Sequence, residues 1–260
     1  MDPKGELTGQ TFHLPYVSWL LYDRRSFKLR LQYGSDDVGE TYEQHEVYDA
    51  ILTRIRPEAA NEVYKPSLAL GSPAIIKVKK QVDPWSNKPE YSQCSNEINR
   101  EIHNLKVLTN AGCQHTPRLI DWSVTQQSHD GALPGGYIAY IVMEKVPGKD
   151  LGEYNEMEES EQRRVQLAFL EAIWSFRKCQ LFHSDTRLPN LIWDPDGTKC
   201  YIVDLEDAEH DPEMAAEDFS MDPWEELMTW GLIRTFDRPL VDTRGKEELI
   251  EYWKEHMDEQ

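Results

Sequence analysis

Phe182-His183-Ser184-Asp185-Thr186-Arg187-Leu188-Pro189-Asn190-Leu191-Ile192 is the stretch on which the reading of this chain turns. A histidine, an aspartate two residues later and an asparagine five residues beyond it form an H-x-D-x-x-x-x-N pattern. Moving outward toward the C-terminus, Asp194-Pro195-Asp196-Gly197 is turn sequence between two short apolar runs, residues 191–193 and 201–203, which read as strands. The second run ends on an acidic residue in Val203-Asp204-Leu205-Glu206-Asp207-Ala208. Moving outward toward the N-terminus, residues 159–177 carry a helical pattern, and the chain changes character at the turn Val146-Pro147-Gly148. Two further helices are expected near residues 223–234 and 245–257, so the half beyond residue 148 reads as mostly helical.

The half before that turn reads as mostly β. Residues 27–33 alternate apolar and basic side chains, run into Gly34-Ser35-Asp36-Asp37 and are followed by residues 41–48, which together predict a long-looped hairpin. Residues 51–55, 62–70 and 74–79 predict three more strands in an antiparallel meander. In residues 95–108 the positions Ile98, Ile102, Leu105 and Leu108 recur at three- and four-residue steps, the mark of an amphipathic helix, which Asn110-Ala111-Gly112 ends. Short strands follow at 118–124 and 137–143. The expected organisation is an extension with a hairpin over 1–50, a β-rich lobe with its hinge over 51–146 and a helical lobe over 147–260.

Composition excludes some classes of function. With 28 basic against 47 acidic residues the net charge is −19, and long-range repulsion opposes nucleic acid and anionic membranes as partners. The acid gathers in residues 153–161, 206–226 and 247–259, as solvated helix faces or toward a cationic substrate. The absence of a long apolar run or a basic, apolar leader makes cytoplasmic the expected location. Cys94, Cys113, Cys179 and Cys200 include no C-x-x-C pair, so reduced, mostly buried thiols are expected rather than a disulfide framework or a zinc site.

The loop and the acid-ended strand after it resemble the protein-kinase-like superfamily. The resemblance implies an α+β, two-lobed protein-kinase-like fold, with ATP and Mg2+ as cofactors. In it, Asp185 orients a substrate hydroxyl and accepts its proton, and Asn190 and Asp204 hold magnesium. His183 opens this catalytic loop, and Arg187, two residues after Asp185, would neutralise the transferring phosphate. Residues 74–78, Ala-Ile-Ile-Lys-Val, resemble the strand whose lysine, here Lys77, contacts nucleotide phosphates. Strand periodicity places Ile75, Lys77 and Lys79 on one face and Ile76 and Val78 on the other, with Lys79 and Lys80 as competing candidates. Glu101, opening E-x-x-x-L-x-x-L, resembles the helix glutamate that pairs with this lysine; Glu97 lies one turn earlier. Residues 140–148 resemble the interlobe hinge, with Met143 as gatekeeper and the backbone of Glu144 and Val146 meeting the adenine edge.

Departures from the pattern refine the expectation. Leu205 and Glu206 stand where protein kinases carry phenylalanine and glycine, which is similar to aminoglycoside- and choline-kinase-type enzymes, and Glu206 becomes an additional candidate metal ligand. Residues 56–61 lack the glycines of a phosphate-covering loop. No activation segment or A-P-E motif fits in the 56 residues after Asp204, an economy of length similar to small fungal kinase-like proteins. The expectation is an ATP- and magnesium-dependent phosphotransferase acting on a small-molecule hydroxyl. The alternatives are a pseudokinase-type binding protein and, less favoured, a protein serine/threonine kinase.

Overall fold

The computed structural model describes residues 7–14, 17–32, 41–55, 69–82, 94–213 and 222–233. These form a mixed α+β protein. Two compact units are present: Met1–Ile102 with Leu119–Lys145, and His103–Arg118 with Val146–Gln260.

The first unit is built on one six-stranded antiparallel sheet. Its strands are β1 (Thr11–His13), β2 (Val17–Gln32), β3 (Thr41–Ile55), β4 (Pro73–Val82), β5 (Leu119–Gln126) and β6 (Tyr137–Glu144), in the order β1-β2-β3-β4-β6-β5. The two predicted strands at 41–48 and 51–55 are one continuous strand, and the boundary expected at residue 50 falls inside it. Tyr48 and Ala50 are fully buried and pair with Ile76 and Ala74 of β4, so there is no solvated break at which the chain could turn. Register shifts at Ser18/Trp19, Leu21/Asp23 and Arg24/Ser26 of β2 let a pair of this length twist and curl. The strand expected at 62–70 lies outside the described residues except for its last two positions, and Leu70 is in a turn.

Alternation in β4 sorts its side chains between two environments. Ile76 and Val78 are fully buried in an apolar cluster with Trp19, Leu21 and Val142, whereas Lys77 and Lys79 project from the opposite face. The helix α1 (Asn96–Ala111) begins in this unit, and the division between units falls within it, between Ile102 and His103.

In the second unit the long helix α2 (Glu159–Lys178) buries Val165, Phe169, Ile173 and Phe176. The same unit holds five short strands, β7 (Lys149–Asp150), β8 (Leu181–His183), β9 (Leu191–Asp194), β10 (Lys199–Ile202) and β11 (Ala208–His210), of which β8 and β10 pack on α2. They form a three-stranded sheet, β10-β9-β7, and a β11-β8 pair. This half is therefore less helical, among the described residues, than its sequence suggests, because strands of two to four residues leave no legible period. The helix α3 (Pro223–Thr229) starts where expected, capped by the Asp222 carboxylate, which accepts from Trp224 N at 2.8 Å. It stops short of residue 234 because Gly231 turns left-handed at φ 74°. The helix expected at 245–257 lies outside the described residues.

Candidate functional site

The loop between β8 and β9 is closed by its own hydrogen bonds. Arg187 N donates to Asp185 O at 3.0 Å, and Asn190 N to Arg187 O at 2.9 Å, across a one-turn 3-10 helix, Leu188–Asn190, that Pro189 favours. Asn190 is buried, and its side-chain amide donates to both the Asp185 carbonyl, at 2.9 Å, and the Asp185 carboxylate, at 3.0 Å. That commitment of Nδ2 turns the amide oxygen, the atom a hard cation takes, away from Asp185.

His183 joins this loop to the end of β10. Its Nδ1 accepts from the Asp185 N–H at 3.1 Å, which leaves Nε2 protonated and donating to Val203 O at 3.1 Å. Burial disfavours the charged ring and holds its pKa below the ordinary histidine value, against the pull of the Val203 carbonyl and nearby Asp204 and Asp185. The ring also meets Trp230 edge-on at 5.3 Å between centroids. Both ring nitrogens of His183 are therefore engaged within the protein.

The Val203 peptide is gripped from both sides, because its N–H donates to Asn190 O at 2.9 Å while its carbonyl takes the His183 proton. Asp204 follows directly, in left-handed backbone (φ 63°, ψ 58°). A non-glycine residue occupies that region sparingly, aspartate more readily than most. A closed set of bonds thus ties Asp185, His183 and Asn190 to Val203, the residue before Asp204. Glu206, two residues after Asp204, is the middle residue of the 3-10 turn Leu205–Asp207 and is buried.

Arg187 lays its guanidinium across Asp185, Nε and Nη2 each donating to one carboxylate oxygen. Hydrogen bonds from Arg187, then from Asn190, hold the Asp185 carboxyl below its usual range despite partial burial. It is therefore ionised at neutral pH, a weak base suited to orienting a hydroxyl. Among the described residues no group of three or more His, Cys, Asp or Glu side chains forms a metal centre. An amide oxygen with one or two carboxylates suits magnesium, which takes few protein ligands and fills its shell with phosphate oxygens and water.

Sequence reasoning did not single out Asn104. Fully buried on α1, it donates through Nδ2 to Leu205 O at 3.0 Å and Ala208 O at 2.7 Å, bracketing the turn that follows Asp204. The available signal was a short polar residue in helical register with Glu101 and Leu108.

In the first unit, Lys77 and Lys79 both meet Glu101. Lys77 Nζ pairs with Oε1, and Lys79 Nζ lies 2.8 Å from Oε2. The Lys79 side chain is 2% exposed and that of Lys77 12%, so Lys77 is the one that reaches outward. On the same face Glu43 accepts from the Tyr137 hydroxyl at 2.7 Å, from Ser95 Oγ at 3.0 Å and from His45. Burial would raise its pKa, but the bonds from His45 and Tyr137 and the field of Lys79 prevail and hold it below the usual carboxylate range. Met143 and Glu144 end β6 opposite Ile75 and Ala74, with Met143 buried; Val146, buried as well, belongs to the second unit.

Compared with models of known protein families the chain matches none, and no curated protein matches it.

Proposed function

We propose that this chain is an ATP- and magnesium-dependent phosphotransferase, on a two-lobed protein-kinase-like fold, that moves the γ-phosphoryl group to a hydroxyl of a small molecule. The observation that carries the reading is the bonded loop in which Asn190 holds the ionised Asp185 carboxylate and in which Asn190 and His183 are both tied to Val203, the residue that delivers Asp204. Phosphoryl transfer asks the protein mostly for positioning and charge neutralisation. Magnesium, held by Asn190 and Asp204, would supply the charge that offsets the phosphates. Asp185 receives the acceptor hydroxyl and takes its proton as the bond to phosphorus forms. Lys77 neutralises phosphate oxygens, while Lys79 keeps Glu101 in place.

The clamp of Arg187 on Asp185 favours a second reading, a binding protein of pseudokinase type, since an acceptor hydroxyl has to share a carboxylate whose two oxygens both already accept from Arg187. One experiment separates them: transfer of the γ-phosphate from ATP across a panel of small hydroxylated metabolites, by the wild type and Asp185→Asn. The phosphotransferase reading expects transfer to at least one acceptor, slowed about 100-fold or more in the variant. Magnesium-dependent nucleotide binding without transfer to any acceptor supports the binding reading, and equal rates in the two proteins remove Asp185 from the mechanism.

A further inference from the structure

His103 and His210, 107 residues apart in sequence, bring two imidazole edges together in the second unit. His103 Nε2 lies 3.0 Å from His210 Nδ1, and the rings are tilted by 46° with centroids 5.1 Å apart, so they meet through their nitrogens rather than by stacking. The backbone beneath each ring is held. Beside His103 on α1, Asn104 donates to Leu205 O and Ala208 O, which ties this part of the helix to the start of β11. On its other side β11 pairs with β8, His210 opposite Leu181, and Asp211 N donates to Gln180 O at 2.9 Å. Solvent reaches the pair, since His103 is exposed and His210 half-buried. The phosphotransferase chemistry proposed above uses neither residue.

We infer that His103 and His210 are a two-histidine site for a first-row divalent transition ion of the copper(II) or nickel(II) type, which fastens this part of α1 to β11. Imidazole nitrogen is a donor that such ions favour, whereas magnesium takes oxygen. The spacing chooses among them. With metal–nitrogen bonds of about 2.0–2.1 Å, two nitrogens 3.0 Å apart subtend about 90° at a shared ion, the angle between adjacent ligands in square-planar or tetragonal coordination. The tetrahedral angle usual for zinc needs about 3.3–3.4 Å. In the ion's absence the same spacing serves an N–H···N hydrogen bond, one ring donating and the other accepting. When the ion binds, the donating ring gives up that proton and takes one on its other nitrogen, and a small rotation of each ring turns both lone pairs to the metal. Neither imidazole becomes charged. The two nitrogens fill adjacent positions, and water fills the rest of the coordination shell.

The test uses the full chain without an affinity tag, and nickel(II) rather than copper(II), which would oxidise the free cysteines. Equilibrium dialysis compares the wild type with His103→Ala, His210→Ala and, as control, His129→Ala, which removes an exposed histidine of the first unit. The expected result is nickel bound by the wild type, affinity at least about tenfold weaker in either pair variant and unchanged in His129→Ala. Magnesium should not compete for the site. If a pair variant fails to fold, the wild type alone decides: nickel should protect His103 and His210, but not His129, from diethyl pyrocarbonate, as mapped by mass spectrometry. The inference is overturned if the wild type binds no nickel at millimolar ion, or if both pair variants bind it as tightly as the wild type. It is equally overturned if His103 and His210 react with diethyl pyrocarbonate as fast with nickel as without it.

Discussion

Replacing Asn104 by alanine tests how the turn after Asp204 is held. The variant loses two hydrogen bonds, at 3.0 Å to Leu205 O and 2.7 Å to Ala208 O, from a side chain with no exposed surface. Leu205 O keeps the Ala208 N–H that caps the 3-10 turn, so that loss is the net value of one bond, about 1 kcal/mol. The Ala208 carbonyl loses its side-chain donor in a buried setting, which costs about 1–3 kcal/mol. Against this, Asn104 Oδ1 is itself buried with no hydrogen-bond partner among the described residues, and removing it recovers about 1 kcal/mol. The net expectation is a destabilisation of about 2 kcal/mol, read as a lower urea midpoint with an unchanged denaturant slope. Gln114→Ala is the control, because it deletes a chemically similar bond, Nε2 to Gly112 O at 2.9 Å, from an exposed side chain and should cost less than about 0.5 kcal/mol. Equal midpoints for the two variants would refute the reasoning, since burial is the main difference between them.

Gly148→Ala should be among the most damaging single substitutions in the second unit. An added Cβ would lie 2.1 Å from Trp193 O in backbone at φ +104°, and a loss of more than about 3 kcal/mol is expected in the same urea assay. Stability should also fall as pH drops below about 6.5. Burial lowers the pKa values of His115 and His183 in the folded protein, so the unfolded chain takes up protons that the fold refuses, until the pH falls through the folded values. Each histidine contributes a slope of at most about 1.4 kcal/mol per pH unit. His183→Gln should flatten the dependence of the urea midpoint on pH, and an unchanged slope would contradict the tautomer and burial assigned to this ring.

Much of the architecture was legible because strong periods mark it. Ile76 and Val78 against Lys77 and Lys79 reveal a two-faced strand, and Ile98, Ile102, Leu105 and Leu108 reveal α1. The contact of Lys77 with Glu101 follows from those two patterns once strand and helix are adjacent. What was not legible depends on the tertiary structure. Nothing local says that β2 and β3 run past residues 27 and 50, because the bulges that allow it break the alternation a reader looks for. Short strands such as Leu181–His183 carry no period at all. The bracket formed by Asn104 around residues 205–208 and the sharing of Glu101 between two lysines are long-range events. Residue type permits them, but only packing brings them about. Arg187 shows the same limit, since its place two residues after Asp185 was clear while its bidentate hold on that carboxylate was not.

The central claim is most directly tested by the melting temperature of the wild type and of Asp204→Asn, titrated with ATP in the presence and absence of magnesium. A ligand that binds only the folded state at 100 times its dissociation constant stabilises by about 2.7 kcal/mol. The account predicts a wild-type rise of several degrees that requires magnesium and is largely lost in Asp204→Asn. No rise in the wild type at millimolar magnesium and ATP would contradict it.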